Sequence, residues 1–352
     1  MKTIHFPFAS LWVLLLVLSC KNSTQNGMED PTADQPVTRD NFTVAETDKY
    51  FTQHAAKYPV NTLNHSREMS SATHQFVIRE NQDTMYSNGL VDVSEGATIM
   101  NPEWDVYSSI QVIDENHYTV AVLYPGDTLT ITPDMLALGT HVYLNVRTGV
   151  RSLDSAGFAE AHGHQDSYLI QANSAKPYLS KGFDSQSLDS LRNVLLAEAV
   201  QVKAWKAFGS KSEVEPLDFL LGSAAGWAGL PVKHATYVTD IQPTGEALEG
   251  KCAKISLPKP PLKFQEGGFF SITTYGADGY IKTEKFALNN RQAKPNKDGS
   301  FTFYFNCPTQ ENNIEVVPDW NMTIRLYMPE SPERILEYID QIKASSQIEL
   351  IN

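Results

Sequence analysis

Cysteine is scarce in this chain of 352 residues, with copies only at positions 20, 252 and 307. No CxxC pair is present, which excludes the thioredoxin-type redox motif, and HExxH, phosphate-loop and dinucleotide fingerprints are absent too. Basic residues are also in deficit: 28 Lys and Arg against 41 Asp and Glu leave a formal net charge of -13. Nucleic acid is therefore not an expected partner, because a basic patch is its electrostatic footprint. Ser223 sits in Gly222-Ser-Ala-Ala-Gly226, not in the Gly-x-Ser-x-Gly elbow of the α/β-hydrolases. No cofactor is implied. The metal-like spacing His162-Gly163-His164 with Asp166 lacks further ligands and reads as a solvated loop, so no metal is expected.

Long hydrophobic runs are missing as well. The run Leu11–Leu18 falls well short of the ~20 residues of a spanning helix. Lys2 precedes it and Val17-Leu18-Ser19-Cys20 closes it, so residues 1–19 read as a lipoprotein signal peptide with Cys20 as the lipidated residue. The expected location is the bacterial cell envelope, anchored by lipid to the outer membrane through Cys20, since Lys21 and not Asp follows it. Residues 20–42 are polar, contain Pro31 and Pro36, and read as a flexible tether. An exported thiol pair can oxidise, and the sequence leaves open whether Cys252 and Cys307 do.

What remains is a body rich in short strands. A first helix is expected over Val44–Tyr58, with Thr43 as N-cap and Pro59 as its stop. Strand patterns follow at Phe76–Ile78, Leu90–Val93, Val106–Ile113, Tyr118–Tyr124, Leu129–Thr132 and Val142–Val146. Asp154 should cap a short helix to Ala161, and a longer helix is expected over Ser187–Phe208, capped by Ser187 with Ser190 or Asp189. A Gly/Ala-rich linker over Leu217–Pro231 leads to strands at 254–257, 269–275, 283–288, 301–306 and 322–327. Pro332 opens a terminal helix to about Ala344. The expected fold is α+β and mainly β: two antiparallel β-sandwich-like domains joined by a helical spacer, with an N-terminal and a C-terminal helix. The N-terminal β domain takes residues 43–180, the spacer and linker 181–231, and the C-terminal β domain with its helix 232–352.

The densest polar stretch is FVIRENQDTMYSNGLVD, residues 76–92. Arg79 and Asp83, four apart, are expected to pair, with Asn81 bonding loop backbone. Such a network can simply lock a connection at a sheet end. It can also line a pocket, with Asp83 as base or acceptor, Arg79 for an anionic group and Tyr86 as donor. Arg147 and Arg325 each stand near a strand end, and with Arg79 nearby they would form an anion pocket. Trp227 and Tyr237 are candidates to stack on a ligand or to pack between domains.

These residues carry a family resemblance. Arg79-Glu-Asn-Gln-Asp-Thr-Met-Tyr-Ser87 resembles the RxNxDTxYS signature of the domain of unknown function 1254. Asp92, Tyr107-Ser-Ser-Ile-Gln-Val-Ile-Asp114 and Val142–Thr148 follow in the order of that family. Gly226-Trp-Ala-Gly-Leu-Pro231 with Ala235 and Tyr237 resembles its GWxGLPxxxAxY segment. Gly268–Tyr275, Asn296–Phe305 and Arg325–Glu330 are similar to the partner domain of unknown function 1214. Phe270 stands where the family has tryptophan, and the NWLP segment and tryptophan-rich tail are not recognisable. The resemblance spans roughly residues 45–330 and implies a two-domain, largely β, exported protein of no agreed activity.

Three functions fit. The first is an envelope protein binding a small or oligomeric ligand, such as an oligosaccharide, in an interdomain cleft. The second is a hydrolase or lyase on an anionic or glycosidic substrate, with Asp83 as general base and Tyr86 as a further catalytic candidate. The third is a structural or interaction protein, in which a homo-oligomer would absorb the arginines and aromatics.

Overall fold

Period-2 alternation gives each strand two faces, and in this chain both faces are used. The computed structural model describes residues 34–75, 79–199 and 202–351. The expected signal peptide, Cys20, most of the tether and the expected strand Phe76–Ile78 lie outside them. From Gln35 the chain is one compact unit built of two β halves. The N-terminal half contains β1 (Asn64–His65), β2 (Thr84–Asp92), β3 (Ala97–Met100), β4 (Ser108–Asp114), β5 (Thr119–Leu123), β6 (Thr128–Ile131), β7 (His141–Gly149) and β8 (Leu169–Ala172). They form a five-stranded sheet, β1-β2-β7-β4-β5, and a three-stranded sheet, β6-β3-β8. Val91, Ile110, Val112, Leu144 and Val146 of the first sheet pack with Ile99 and Ile131 of the second.

The second half repeats the two-sheet logic. Its strands are β9 (Ala235–Val238), β10 (Ala253–Leu257), β11 (Phe269–Tyr275), β12 (Ala287–Asn289), β13 (Phe301–Phe305), β14 (Asn313–Ile314), β15 (Asn321–Tyr327) and β16 (Glu349–Leu350). The sheets β12-β11-β15-β9 and β14-β13-β10-β16 enclose Phe270, Ile272, Phe303, Phe305, Ile324 and Leu326. The C-terminal helix (Pro332–Ser345, capped by the Ser331 hydroxyl) adds Ile335, Ile339 and Ile342 to the same core. Cys252 and Cys307 are joined as a disulfide beside the Ala253–Phe305 strand pair.

The helices depart from expectation in detail. Helix α1 spans Phe42–Ala55 and starts at Asn41; Thr43 is inside it, bonded to Ser223, and does not cap it. Asp154 caps α2 (Ser155–Ser167) as expected, but the helix runs on through His162 and His164. The expected helix over 187–208 is two: α3 (Ser185–Glu198), capped by Asp184, and the short α4 (Ala204–Ala207). Apolar periodicity does not register the separation, and the second helix is tied to a distant residue: the Asp218 carboxylate accepts the Lys203 amide just before α4. Asp218 belongs to α5 (Pro216–Gly226), which occupies much of the expected linker. Its small residues serve packing, since a Cβ on Gly222 would meet Ala207 at 2.6 Å. Strands β3, β8 and β9 were not anticipated; each is only four residues long. Among the described residues no helix is long and apolar enough to cross a membrane.

A buried carboxylate ties the N-terminal half to the segment leading into α3. Glu115 accepts the amides of Thr140 and His141 and pairs with Lys181. Burial alone would raise its pKa, but bonds from His141 and Lys181 outweigh that and bring it down to about 2. A carboxylate with a depressed folded pKa stabilises above its unfolded value, and that contribution is lost as pH falls through the folded one. Glu115→Ala should therefore cost roughly 3–5 kcal/mol at neutral pH. In denaturant titrations its deficit relative to wild type should shrink between about pH 4.5 and pH 2. A pH-independent deficit would show that the charge is not what stabilises the fold.

Candidate functional site

One sheet face of the N-terminal half changes character along its strands. On β2, β7 and β4 it carries Leu90, Tyr143 and Ile113, which pack on Phe51 of α1. Two residues further along each strand the same face carries Asn88, Asn145 and Gln111, with Asn64 of β1 continuing the row. Two further again it carries Tyr86, Arg147 and Ser109. Helix α1 covers the apolar end and leaves the polar end open.

The second half presents the matching wall. Phe270, Ile272, Ile324 and Leu326 point into its own core, so alternation turns Ser271, Thr273, Tyr275, Thr323, Arg325 and Tyr327 outward. Tyr237 of β9 lies opposite Arg325. The halves are joined where Phe269 and Tyr327 stack at 4.3 Å and Tyr107 packs edge-on to Phe269 at 5.1 Å. Beside this weld lies a cleft of about 660 Å³ lined by both halves.

Each half contributes one buried arginine set against a tyrosine on the neighbouring strand. Arg147 is 5% exposed, donates to Gln111 Oε1 (3.2 Å) and the Ala228 carbonyl (3.1 Å), and lies 5.9 Å from the centre of the Tyr86 ring. Arg325 is 4% exposed and donates to Thr273 Oγ1 (2.9 Å), the Tyr275 hydroxyl (2.7 Å) and the Arg79 carbonyl (2.6 Å). Both carbonyls belong to residues in the left-handed region, Ala228 at φ 63° and Arg79 at φ 58°. Non-glycine residues adopt that region at a cost, so the two peptides are held there by their surroundings. The Ala228 amide donates to Nε2 of buried His117 (2.9 Å), whose pKa burial brings down to about 3, so this ring is neutral and can accept. The Arg79 amide donates to Gly279, and its guanidinium reaches Asn321 Oδ1 at 3.1 Å.

No carboxylate forms an ion pair with Arg79, Arg147 or Arg325 among the described residues. Arginine stays charged at any physiological pH, so the cleft holds net positive charge in an acidic protein. Its rim does carry acids: Glu80 accepts from Ser70, and Glu68 stands 3.6 Å from His74. Tyr237 is within electrostatic reach of both buried guanidiniums; burial raises its pKa, and the two charges oppose that rise. Asn81 donates to the Tyr86 hydroxyl at 2.6 Å and accepts the Asp83 amide at 2.9 Å.

Arg79, Asn81, Tyr86, Arg147, Trp227, Tyr237 and Arg325 all line this one cleft. Asp83 does not. It is buried beneath the wall, accepting from Ser271 (2.7 Å) and Tyr327 (3.4 Å), and the expected Arg79–Asp83 pair is not formed. Left-handed Arg79 carries its side chain to the second half, while Asp83 enters the interface. Burial raises the Asp83 pKa against the nearby charge of Arg325 and the two hydroxyl bonds. Trp227 is consumed in packing: it stacks on Tyr50 (4.1 Å) and His117 (5.5 Å), meets Tyr143 edge-on, and donates to Thr47. His162 and His164 lie on α2, where His162 meets the Arg67 carbonyl and His164 meets Ser108 and Asn101. The amides of Asn64, Asn88 and Asn145 were missed. Their signal was the alternation itself, Tyr86-x-Asn88-x-Leu90 on one strand and Tyr143-x-Asn145-x-Arg147 on the next.

Two family models match the chain. Residues 60–142 match the protein of unknown function DUF1254, and residues 233–331 match the protein of unknown function DUF1214. Among solved structures, the VPA0106 protein of Vibrio parahaemolyticus is similar at a TM-score of 0.68 and 18% identity, covering 89% of this chain and 97% of that one. An uncharacterized protein from Burkholderia cenocepacia is similar at a TM-score of 0.43 and 13% identity, covering 83% and 84%. The first likeness shows a shared fold. No curated protein matches the chain.

Asp83 joins the two halves, and that assignment can be measured. Asp83→Ala would leave the Ser271 and Tyr327 hydroxyls without their acceptor and remove the carboxylate near Arg325. The expected loss is about 2–4 kcal/mol in denaturant unfolding. Asp83→Asn keeps an acceptor and should lose less. Equal midpoints for wild type and Asp83→Ala would remove the interface role.

Proposed function

Because the chain belongs to the family that pairs DUF1254 with DUF1214, and its candidate residues meet in one cleft, we propose a binding function. The protein is read as a lipid-anchored bacterial envelope protein that holds a small or oligomeric anionic ligand between its halves. The observation that carries this reading is the pair of buried guanidiniums, Arg147 and Arg325, facing a cleft with only neutral hydrogen-bond partners. A buried charge whose hydrogen-bond partners are all neutral is costly, and a carboxylate or similar anion in the cleft offsets that cost, most at Arg147, since Asp83 already stands near Arg325. Arg147 also has five N–H donors and two protein acceptors, which leaves donors for a ligand. The polar tether and the lipobox-like Val17–Cys20 support the anchored placement.

A second reading is favoured by Tyr86. Its hydroxyl takes a hydrogen bond from Asn81 and lies in the cleft beside Arg147, within reach of a bound ligand's protons. In that case the protein is a lyase on the same anionic ligand, with Tyr86 and not the buried Asp83 as the acid–base group.

Calorimetry on the full-length protein in detergent, titrated with sugar acids and dicarboxylates, tests the binding reading. Wild type should bind at least one carboxylate, more weakly at higher salt. Arg147→Met and Arg325→Met should each weaken it by about 10- to 100-fold, the worth of a charge-assisted hydrogen bond. Absence of binding across the panel, or unchanged affinity in both variants, would remove the anion site. An unsaturated product absorbing in the ultraviolet, lost in Tyr86→Phe, would decide for the lyase.

A further inference from the structure

The carboxamide row beside the arginine row narrows the ligand class, and this step rests on the anion-binding reading above. Asn64 pairs with Asn88 across β1 and β2, Asn88 with Asn145 across β2 and β7, and Asn145 with Gln111 across β7 and β4. Four carboxamides thus stand in one line across four strands. Gln111 is committed to the protein, bonding Arg147, Thr119 and the Gly229 carbonyl. Asn64, Asn88 and Asn145 line the cleft, and the contact among them is a long one, Asn88 Nδ2 to Asn145 Oδ1 at 3.4 Å. Each carboxamide offers both donors and an acceptor, and a sugar hydroxyl likewise donates and accepts. The neighbouring row on the same face, Tyr86 and Arg147, lies two residues along the strands, or about 7 Å away. That is close to the distance from the carboxylate of a hexuronate to the hydroxyls across its ring.

We propose that the cleft recognises a polyhydroxylated carboxylate of the uronic-acid class. Its carboxylate lies on Arg147 and Tyr86 and its hydroxyls on Asn64, Asn88 and Asn145. The arrangement disfavours an aromatic anion, because Trp227 is already packed between protein groups. It disfavours a bare carboxylate too, because such a ligand would leave the carboxamide row without partners on desolvation.

The test is calorimetry on the full-length protein in detergent with three probes. Glucuronate has the carboxylate and the hydroxyls, cyclohexanecarboxylate has the carboxylate and ring alone, and glucose has hydroxyls without the charge. Glucuronate is expected to bind at least about 10-fold tighter than either of the others, which is ~1.4 kcal/mol. Asn145→Leu and, separately, the partly buried Asn88→Leu should each bring the glucuronate-to-cyclohexanecarboxylate ratio towards one without weakening cyclohexanecarboxylate. Two variants guard against one failing to fold. Equal affinity for the two carboxylates in wild type overturns the sugar-acid assignment and leaves the anion cleft standing. A preserved ratio in both folded variants overturns it as well. No binding of either carboxylate overturns the assignment together with the reading beneath it.

Discussion

Two buried guanidiniums, neither in an ion pair with a carboxylate among the described residues, set the terms for the rest of this structure. Removing arginine from water costs several kcal/mol unless its donors are satisfied, so the fold must supply acceptors that do not cancel the charge. It does so with carbonyls, hydroxyls and one carboxamide. For each arginine a decisive carbonyl comes from a residue in the left-handed region, Ala228 for Arg147 and Arg79 for Arg325. The strain at Ala228 is held by neutral His117, and that at Arg79 by the hydrogen bond its backbone N–H donates to the Gly279 carbonyl. The local cost at two peptides is thus connected directly to the charge that the cleft presents.

The same economy governs the sheet beneath. A single face runs from Leu90, Tyr143 and Ile113 through the carboxamides to Tyr86 and Arg147. Helix α1 covers the apolar end, where Phe51 packs on Leu90, Ile113 and Tyr143. The loop after α5 closes the side of the cleft, with Trp227 packed and Ala228 and Gly229 handing their carbonyls to Arg147 and Gln111. The wall from the second half is fastened by the Phe269–Tyr327–Tyr107 aromatic cluster and by Asp83 beneath it. Asp83 looks like the catalytic residue of the polar knot, but its surroundings make it a joint between the halves.

Much of this was legible from residues alone. Short β-branched runs with turn residues between them announced two antiparallel halves, and the ordered motifs announced the paired family. Seven of the eight candidate ligand residues do converge on the cleft. Less legible were elements defined by partners far away in the chain: the short α4, whose preceding Lys203 amide bonds Asp218, and the four-residue strands β3, β8 and β9. Four residues are too few for a period to stand out from background.

Side-chain chemistry and strand alternation are local properties, and they determined which residues bear charge, which face of each strand is polar, and that Arg147, Arg325 and Tyr86 could serve a site. Register is not local. Only the pairing of β1, β2, β7 and β4 placed Asn64, Asn88, Asn145 and Gln111 in one row, since a one-residue slip would turn each strand's side chains to the other face. Only the docking of the two halves sent Arg79 and Asp83 apart. Four residues separate them in the chain, but the left-handed turn at Arg79 and the hydroxyls of Ser271 and Tyr327, about 190 and 240 residues away, decided which would face the cleft and which would be buried.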